Sequence, residues 1–158
     1  MRRIFPLALV ALALTTSLVA LETDNSLGTW QANITASKYT PAPWPVKNLT
    51  VAREAVPGGV KVTTTGERTD GTPISASYSA NYDGTPAGVT GTGAPYDTVS
   101  IKGVDSNTFM YEAKSTTGKY HATGRIAISN EGKTMTLTAT GTDADGKDMT
   151  LSLVYDKQ

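Results

Sequence analysis

The sequence contains no cysteine. No disulfide can therefore link its strands, and no lipid can be attached through an N-terminal cysteine. Small exported domains usually depend on disulfides for stability. Without disulfides, this chain is expected to depend for its stability on a hydrophobic core and on a β-sheet that closes efficiently.

Long hydrophobic runs are also scarce. The only one, Ile4 to Leu14, follows the basic start Met1-Arg2-Arg3 and precedes the small-residue stretch Thr15 to Ala20. This layout is typical of a secretory signal, and the run is shorter than the roughly 20 residues that span a bilayer. We predict a signal peptide at 1–20, cleaved after Ala20, one domain at 21–158, no stable membrane span after cleavage, and export to the periplasm or medium. An uncleaved anchor is the alternative.

Neither sign of charge dominates. Lys plus Arg and Asp plus Glu each number 14, and no basic cluster occurs. Loss of Arg2 and Arg3 with the signal would leave a weakly acidic chain. Such a chain is a poor binder of nucleic acid and of anionic membranes. We therefore predict no nucleic-acid partner.

Catalytic and metal-binding patterns are missing too. The only histidine, His121, alternates with Tyr120 and Ala122 and is predicted to point outward. The segment from Asp143 to Asp148 resembles the start of a calcium loop, but Val154 stands where the twelfth-position Glu is required. We predict no metal, no cofactor and no enzymatic activity.

What the sequence does contain is alternation. Thr-, Val- and Tyr-rich segments alternate apolar and polar residues and are separated by Gly- and Asp-containing turns. They predict an all-β fold: an antiparallel up-and-down meander of about nine strands that closes into a barrel, with a β-sandwich as the alternative. The predicted strands are Gly28–Ile34, Lys47–Val56, Val60–Gly66, Ile74–Tyr82, Thr98–Lys102, Thr108–Lys114, Tyr120–Ser129, Thr134–Thr140 and Met149–Tyr155.

Two segments interrupt this meander. Thr40–Pro45 is too rich in proline for a central strand and is predicted to be an extended crossing or lid. Thr85–Pro95 is rich in Gly and Pro and is predicted to be the longest internal loop. Both are expected near a mouth of the barrel.

Several large side chains fall on the predicted inward faces or in the proline-rich segment. They either fill a solid core or line a cavity for a small molecule. The small inward residues Ala32, Ala76, Ala80 and Ala113 leave room for the second interpretation. The predicted ligand-binding residues are Tyr78, Tyr82, Tyr111, Met135, Met149, Tyr155 and Trp44.

The motif Gly28-Thr29-Trp30, which opens the first strand just after a signal peptide, resembles the Gly-x-Trp start of a lipocalin. The resemblance implies a lipocalin-like, calycin-type barrel whose closed end is plugged by Trp30 and covered by a cationic residue, for which Arg125 and Lys157 are candidates. The motif and the proline-spaced segment Pro41 to Pro45 also resemble an uncharacterised group of secreted bacterial proteins. So does the ending Gly141 to Gln158.

Together, these features predict a non-enzymatic binding module that holds a small hydrophobic or amphipathic ligand in a barrel cavity. The alternative is a solid-cored structural or interaction protein of the cell envelope that presents Trp44 to a partner. The volume and polarity of the interior decide between the two.

Overall fold

A computed structural model describes residues 23–158 of the chain. The predicted signal peptide, residues 1–20, lies outside the described residues, and its cleavage stays a prediction. The regular elements of residues 23–158 are all β-strands. This part of the chain includes no helix long and apolar enough to cross a membrane.

The described part of the chain forms twelve strands joined by turns and loops. They are β1 (Gly28–Ala32), β2 (Lys38–Thr40), β3 (Val46–Val56), β4 (Gly59–Arg68), β5 (Pro73–Asn81), β6 (Ala87–Gly88), β7 (Thr90–Thr92), β8 (Thr98–Asp105), β9 (Thr108–Lys114), β10 (His121–Ile128), β11 (Thr134–Thr142) and β12 (Asp148–Lys157).

The strands form a single antiparallel sheet that curls into a nearly closed barrel. Its order is β6-β8-β9-β10-β11-β12-β1-β3-β4-β5-β7, with β2 added beside β12. A sandwich requires two sheets, so the β-sandwich alternative was wrong and the barrel prediction is confirmed. Apart from β1, the long strands follow one another as neighbours, as in an up-and-down meander.

The two ends of the sheet meet beside β5 and β8. The backbone N–H of Gly103 donates to the carbonyl of Tyr82, and that of Gly84 donates to Ile101, each at 3.0 Å. Farther along the seam, β7 pairs with β5 and β6 pairs with β8. The short strands therefore cover edges that would otherwise be open to another chain.

The prediction of about nine strands was too low because β2, β6 and β7 are only two or three residues long. Strands this short show no alternation. β6 and β7 also lie in Thr85–Pro95, which was predicted to be a loop. The first strand was likewise predicted too long, since β1 ends at Ala32 and Ile34 lies in the following turn.

That turn separates β1 from β2, which both run along β12. Ala32 is opposite Tyr155, and after five intervening residues Lys38 is opposite Ser152. Two bonds maintain the ladder there, because Asn33 N donates to the Val154 carbonyl at 2.7 Å and Val154 N donates to Ser37 Oγ at 2.9 Å. After this turn, β2 leads the chain to one rim of the barrel, where the proline-rich segment begins.

The interior of the barrel is made by the inward positions of the long strands, as the alternation predicts. The most buried apolar residues of this core are Trp30, Val60, Val62, Ala80, Val99, Ile101, Phe109, Ala113, Ala122 and Met149. This packing replaces the missing disulfides as the source of stability.

Candidate functional site

A cavity of about 400 Å³ occupies one end of the barrel and is called here the outer cavity. Its deeper wall consists of inward side chains of β9, β11 and β12, including Tyr111, Leu137 and Leu153. Its rim consists of the proline-rich segment 41–45, residues 93–95 and the hairpin turn at 143–147. Both segments that interrupt the meander therefore contribute to the mouth.

Trp44 forms part of this rim. The indole packs edge-on against Tyr39, with ring centroids 5.2 Å apart and planes at 86°. Its Nε1 is buried but has no hydrogen-bond partner within residues 23–158. Buried N–H groups are normally paired, so the rim contains one donor that the described residues leave unsatisfied.

A second, smaller cavity of about 50 Å³ lies deeper in the barrel and is called the inner cavity. The two cavities are neighbours, since they share five lining residues: Thr64, Tyr96, Tyr111, Leu137 and Tyr155. The inner cavity is also lined by Tyr78, Met135 and one charged side chain, Arg53 of β3.

Tyrosine hydroxyls supply much of the polarity of both cavities. Burial raises the pKa of Tyr78, Tyr111 and Tyr155, and it does the same for Tyr96 and Tyr120. A raised pKa keeps each hydroxyl neutral at physiological pH, where it can donate or accept a hydrogen bond. The walls therefore combine aromatic surface with a few uncharged polar groups.

The opposite end of the barrel is closed by a plug made of Ser26, Trp30 and Phe109, all buried. Trp30 Nε1 donates to the Ser26 carbonyl at 2.8 Å, which satisfies the indole. Lys157 Nζ lies 5.0 Å from the centroid of the Trp30 ring. The cation over the tryptophan is therefore Lys157, while Arg125 is exposed on β10.

The plug also contains a chain of polar contacts. Tyr82 donates its hydroxyl hydrogen to the carboxylate of Asp24. Ser26 Oγ donates to another oxygen of that carboxylate at 2.6 Å and accepts a bond from Arg53 Nε at 3.1 Å. These contacts connect Arg53 at the bottom of the inner cavity to the N-terminal segment.

The structure distributes the seven predicted ligand-binding residues over three places. Trp44 and Met149 line the outer cavity, Tyr111 and Tyr155 line both cavities, and Tyr78 and Met135 line the inner one. Tyr82 lines neither and lies instead against Phe109 in the plug, with ring centroids 4.9 Å apart. Their roles in binding a ligand remain predictions.

Arg53 was not predicted from the sequence. It is 3% exposed, although arginine is seldom buried to that extent. The signal was present in the alternation of β3, because the apolar residues Leu49 and Val51 are two positions apart and Arg53 is the next residue with that spacing. An arginine at an inward position of a barrel strand indicates either a polar network or a charged ligand.

Two features singled out in the sequence, His121 and the acidic segment that begins at Asp143, have structural surroundings of their own. His121 points outward, as predicted, and its Nε2 lies 3.5 Å from Glu112 Oε1. Asp143 uses one carboxylate oxygen to accept bonds from the backbone N–H groups of Asp145 and Lys147, each at 2.9 Å. That carboxylate stabilises the hairpin turn at the mouth.

No protein-family profile and no curated protein matches the sequence. Among solved structures, the chain is similar to EF1p2_mFAP2b bound to DFHBI, with 14% identity over 85% of this chain and 94% of that chain, at a TM-score of 0.46. It is also similar to a de novo designed fluorescence-activating β-barrel, with 15% identity over 84% and 93% at a TM-score of 0.43. The redesigned barrel mFAP1 bound to DFHBI gives 16% identity over 82% and 94% at a TM-score of 0.40. Likenesses this distant carry no conclusion about function, which is drawn below from the cavities.

Proposed function

We propose that this protein is a binding module that holds a small hydrophobic or amphipathic molecule inside its barrel. The observation that carries the proposal is the outer cavity, whose volume of about 400 Å³ lies in the range of small-molecule sites. Its walls are mostly apolar and aromatic, with a few polar groups, which is the composition such sites have. An interior of this kind disfavours the solid-cored interaction protein.

We propose further that the module is not an enzyme. The hydroxyls in the cavities belong to tyrosines whose pKa values are raised by burial, as described for Tyr111 and Tyr155. A neutral tyrosine with a raised pKa is a weak nucleophile and a weak general base. These groups are suited to orienting a ligand by hydrogen bonds.

Export and a lipocalin-like ancestry complete the proposal. The signal-like residues 1–20 support export, and N-terminal sequencing of the protein recovered from outside the cytoplasm tests it. An N-terminus at Met1 would contradict it. The buried Trp30 and the Lys157 cation above it support a lipocalin-like barrel. The relation to secreted bacterial proteins with a Gly-Thr-Trp first strand remains a prediction.

Displacement of an uncharged, polarity-sensitive dye such as Nile red by apolar compounds tests the binding function. Ala76 lines the outer cavity from β5, so Ala76→Phe should fill part of it and weaken dye binding at least about tenfold. Ala55 is exposed on β3, and Ala55→Phe is the matched control with unchanged binding. Native mass spectrometry should show one ligand per chain.

Absence of dye binding to the unmodified protein would overturn the proposed function. Equal loss of binding in both variants, or in neither, would place the dye outside the cavity and would count against it as well. Thermal unfolding of both variants shows that each is folded before its affinity is compared.

A further inference from the structure

The bottom of the inner cavity carries a positive charge that has no direct ion-pair partner within residues 23–158. Among the residues that the structure describes, Arg53 is the only charged side chain that lines this cavity, and it is almost completely buried. Within residues 23–158, no carboxylate forms an ion pair with it. Its Nη2 is buried and has no hydrogen-bond partner in that part of the chain.

The guanidinium is held at one side only. Nε donates to Ser26 Oγ at 3.1 Å, and the Cζ atom lies 5.8 Å from the centroid of the Phe109 ring. Ser26 in turn donates to Asp24 at 2.6 Å, so part of the compensating negative charge reaches Arg53 only through a hydroxyl. The plug therefore holds Arg53 through Nε, while the buried Nη2 has no hydrogen-bond partner within residues 23–158.

A buried cation is costly unless it is paired. A partner that brings a negative charge into the inner cavity would recover much of that cost through a charge-assisted hydrogen bond. Hydrophobic ligands without a charge would leave Nη2 unsatisfied. The site therefore favours an amphipathic anion over a neutral apolar molecule.

We propose that the ligand is a monocarboxylic acid with an apolar body, whose carboxylate binds Nη2 of Arg53 in the inner cavity while the body fills the outer cavity. This inference rests on the proposed function and names its ligand class. A single cation matches a single negative charge. The inner cavity, about 50 Å³, suits a compact head group.

The surroundings agree with this orientation. Tyr78 and Tyr155 line the inner cavity together with Arg53. Burial raises the pKa of both hydroxyls, and the positive charge of Arg53 offsets part of that rise. Neutral tyrosine hydroxyls can donate further bonds to a carboxylate. The mouth of the outer cavity does not favour a ligand charge of either sign, because its lining includes two basic and two acidic residues: Arg68, Lys147, Asp143 and Asp145.

A matched pair of ligands tests the inference: a long-chain fatty acid and the primary alcohol of the same length, each titrated against bound Nile red. The acid is expected to bind the unmodified protein at least about tenfold more tightly than the alcohol. Arg53→Met keeps an unbranched side chain and removes the charge, and it should abolish this preference while alcohol affinity stays within about threefold. Arg125→Met, the same change at an exposed site of β10, should retain the preference.

Each outcome has a distinct meaning. If neither ligand displaces the dye and the dye itself does not bind, the proposed function fails. If acid and alcohol bind equally well, the function stands and the role of Arg53 is overturned. An acid preference that survives in Arg53→Met overturns it too, because the anion is then recognised elsewhere.

A measurement on the unmodified protein covers the case in which Arg53→Met does not fold. The guanidinium resonances of Arg53 in a ¹⁵N-labelled sample should shift on addition of the acid and remain unchanged with the alcohol. Identical spectra with both ligands would overturn the inference without any variant.

Discussion

The two tryptophans lie at opposite ends of the barrel and in opposite circumstances. Trp30 is completely buried, its N–H is bonded to the Ser26 carbonyl, and Lys157 covers its ring. Trp44 lies partly buried in the rim, and its N–H has no partner within residues 23–158. The indole at one end is therefore buried with its N–H satisfied, whereas the indole at the other end is partly exposed and its N–H is unsatisfied.

This difference extends to the surroundings of each tryptophan. The plug consists of residues whose polar atoms are bonded to one another, as with Tyr82, Asp24 and Ser26. The cavity end leaves donors without partners at its rim and at its floor. Protein interiors normally satisfy buried polar groups, so unsatisfied ones concentrated along one path indicate where a ligand belongs. In the proposed function, the plug stabilises the barrel and the cavity end accepts the ligand.

Alkali is expected to have the largest effect, and it acts mainly on the cavity end. All tyrosines except Tyr82 line one of the two cavities, and burial raises the pKa of each. Unfolded tyrosine ionises near pH 10, so the stability contributed by these neutral hydroxyls is complete below about pH 10 and is lost as pH rises above it. Tyrosinate absorbance and loss of β-sheet circular dichroism should therefore appear together.

Tyr155→Phe provides a control, because it removes one titrating group and should move the alkaline transition to higher pH. Tyrosinate formation that precedes the loss of circular dichroism would contradict the burial of these hydroxyls and with it the contrast between the two ends.

The next largest effect compares the tryptophans directly. Trp30→Ala removes a fully buried indole and should lower the free energy of unfolding by about 3–5 kcal/mol. Trp44→Ala should cost only about 1 kcal/mol, since the ring lies at the rim. Denaturant titration measures both. The order is expected to reverse for dye affinity, which Trp44→Ala should reduce more than any other rim substitution.

The milder pair Trp30→Phe and Trp44→Phe isolates the N–H groups. Only Trp30→Phe leaves a buried carbonyl, that of Ser26, without its donor. This substitution should lower the free energy of unfolding by about 1–3 kcal/mol. Equal losses of stability in the two phenylalanine variants would show that the two ends do not differ as proposed.

The fold was largely predictable because alternation of apolar and polar residues reports which face of a sheet a side chain occupies. This alternation predicted the nine longer strands. It also predicted the inward positions of Tyr78, Tyr111 and Tyr155. Alternation does not report depth along the barrel axis, however. Tyr82 points inward as predicted, yet it lies in the plug, because only the register between strands decides at which level a side chain stands.

The floor of the site was harder to predict for a different reason. Arg53 occupies an inward position by the same alternation, but charged residues are so rarely buried that the pattern alone does not predict an arginine inside the barrel. The only hydrogen bond that the Arg53 side chain makes within residues 23–158 joins its Nε to Ser26, which is bonded in turn to Asp24, in a segment more than 25 residues earlier in the chain. Contacts of that kind appear only in the folded structure.

The smallest effect is expected from the cation above Trp30. Lys157→Met removes the charge and keeps much of the side-chain volume, so it should lower the free energy of unfolding by about 0.5–1 kcal/mol, the contribution of an exposed cation–π contact. Lys61→Met on the exposed face of β4 is the matched control and should change stability less. Neither substitution should alter dye affinity, because Lys157 belongs to the closed end. A loss of dye binding in Lys157→Met without a loss of stability would mean that the plug and the cavity are coupled, and the division of the barrel into a stabilising end and a binding end would have to be abandoned.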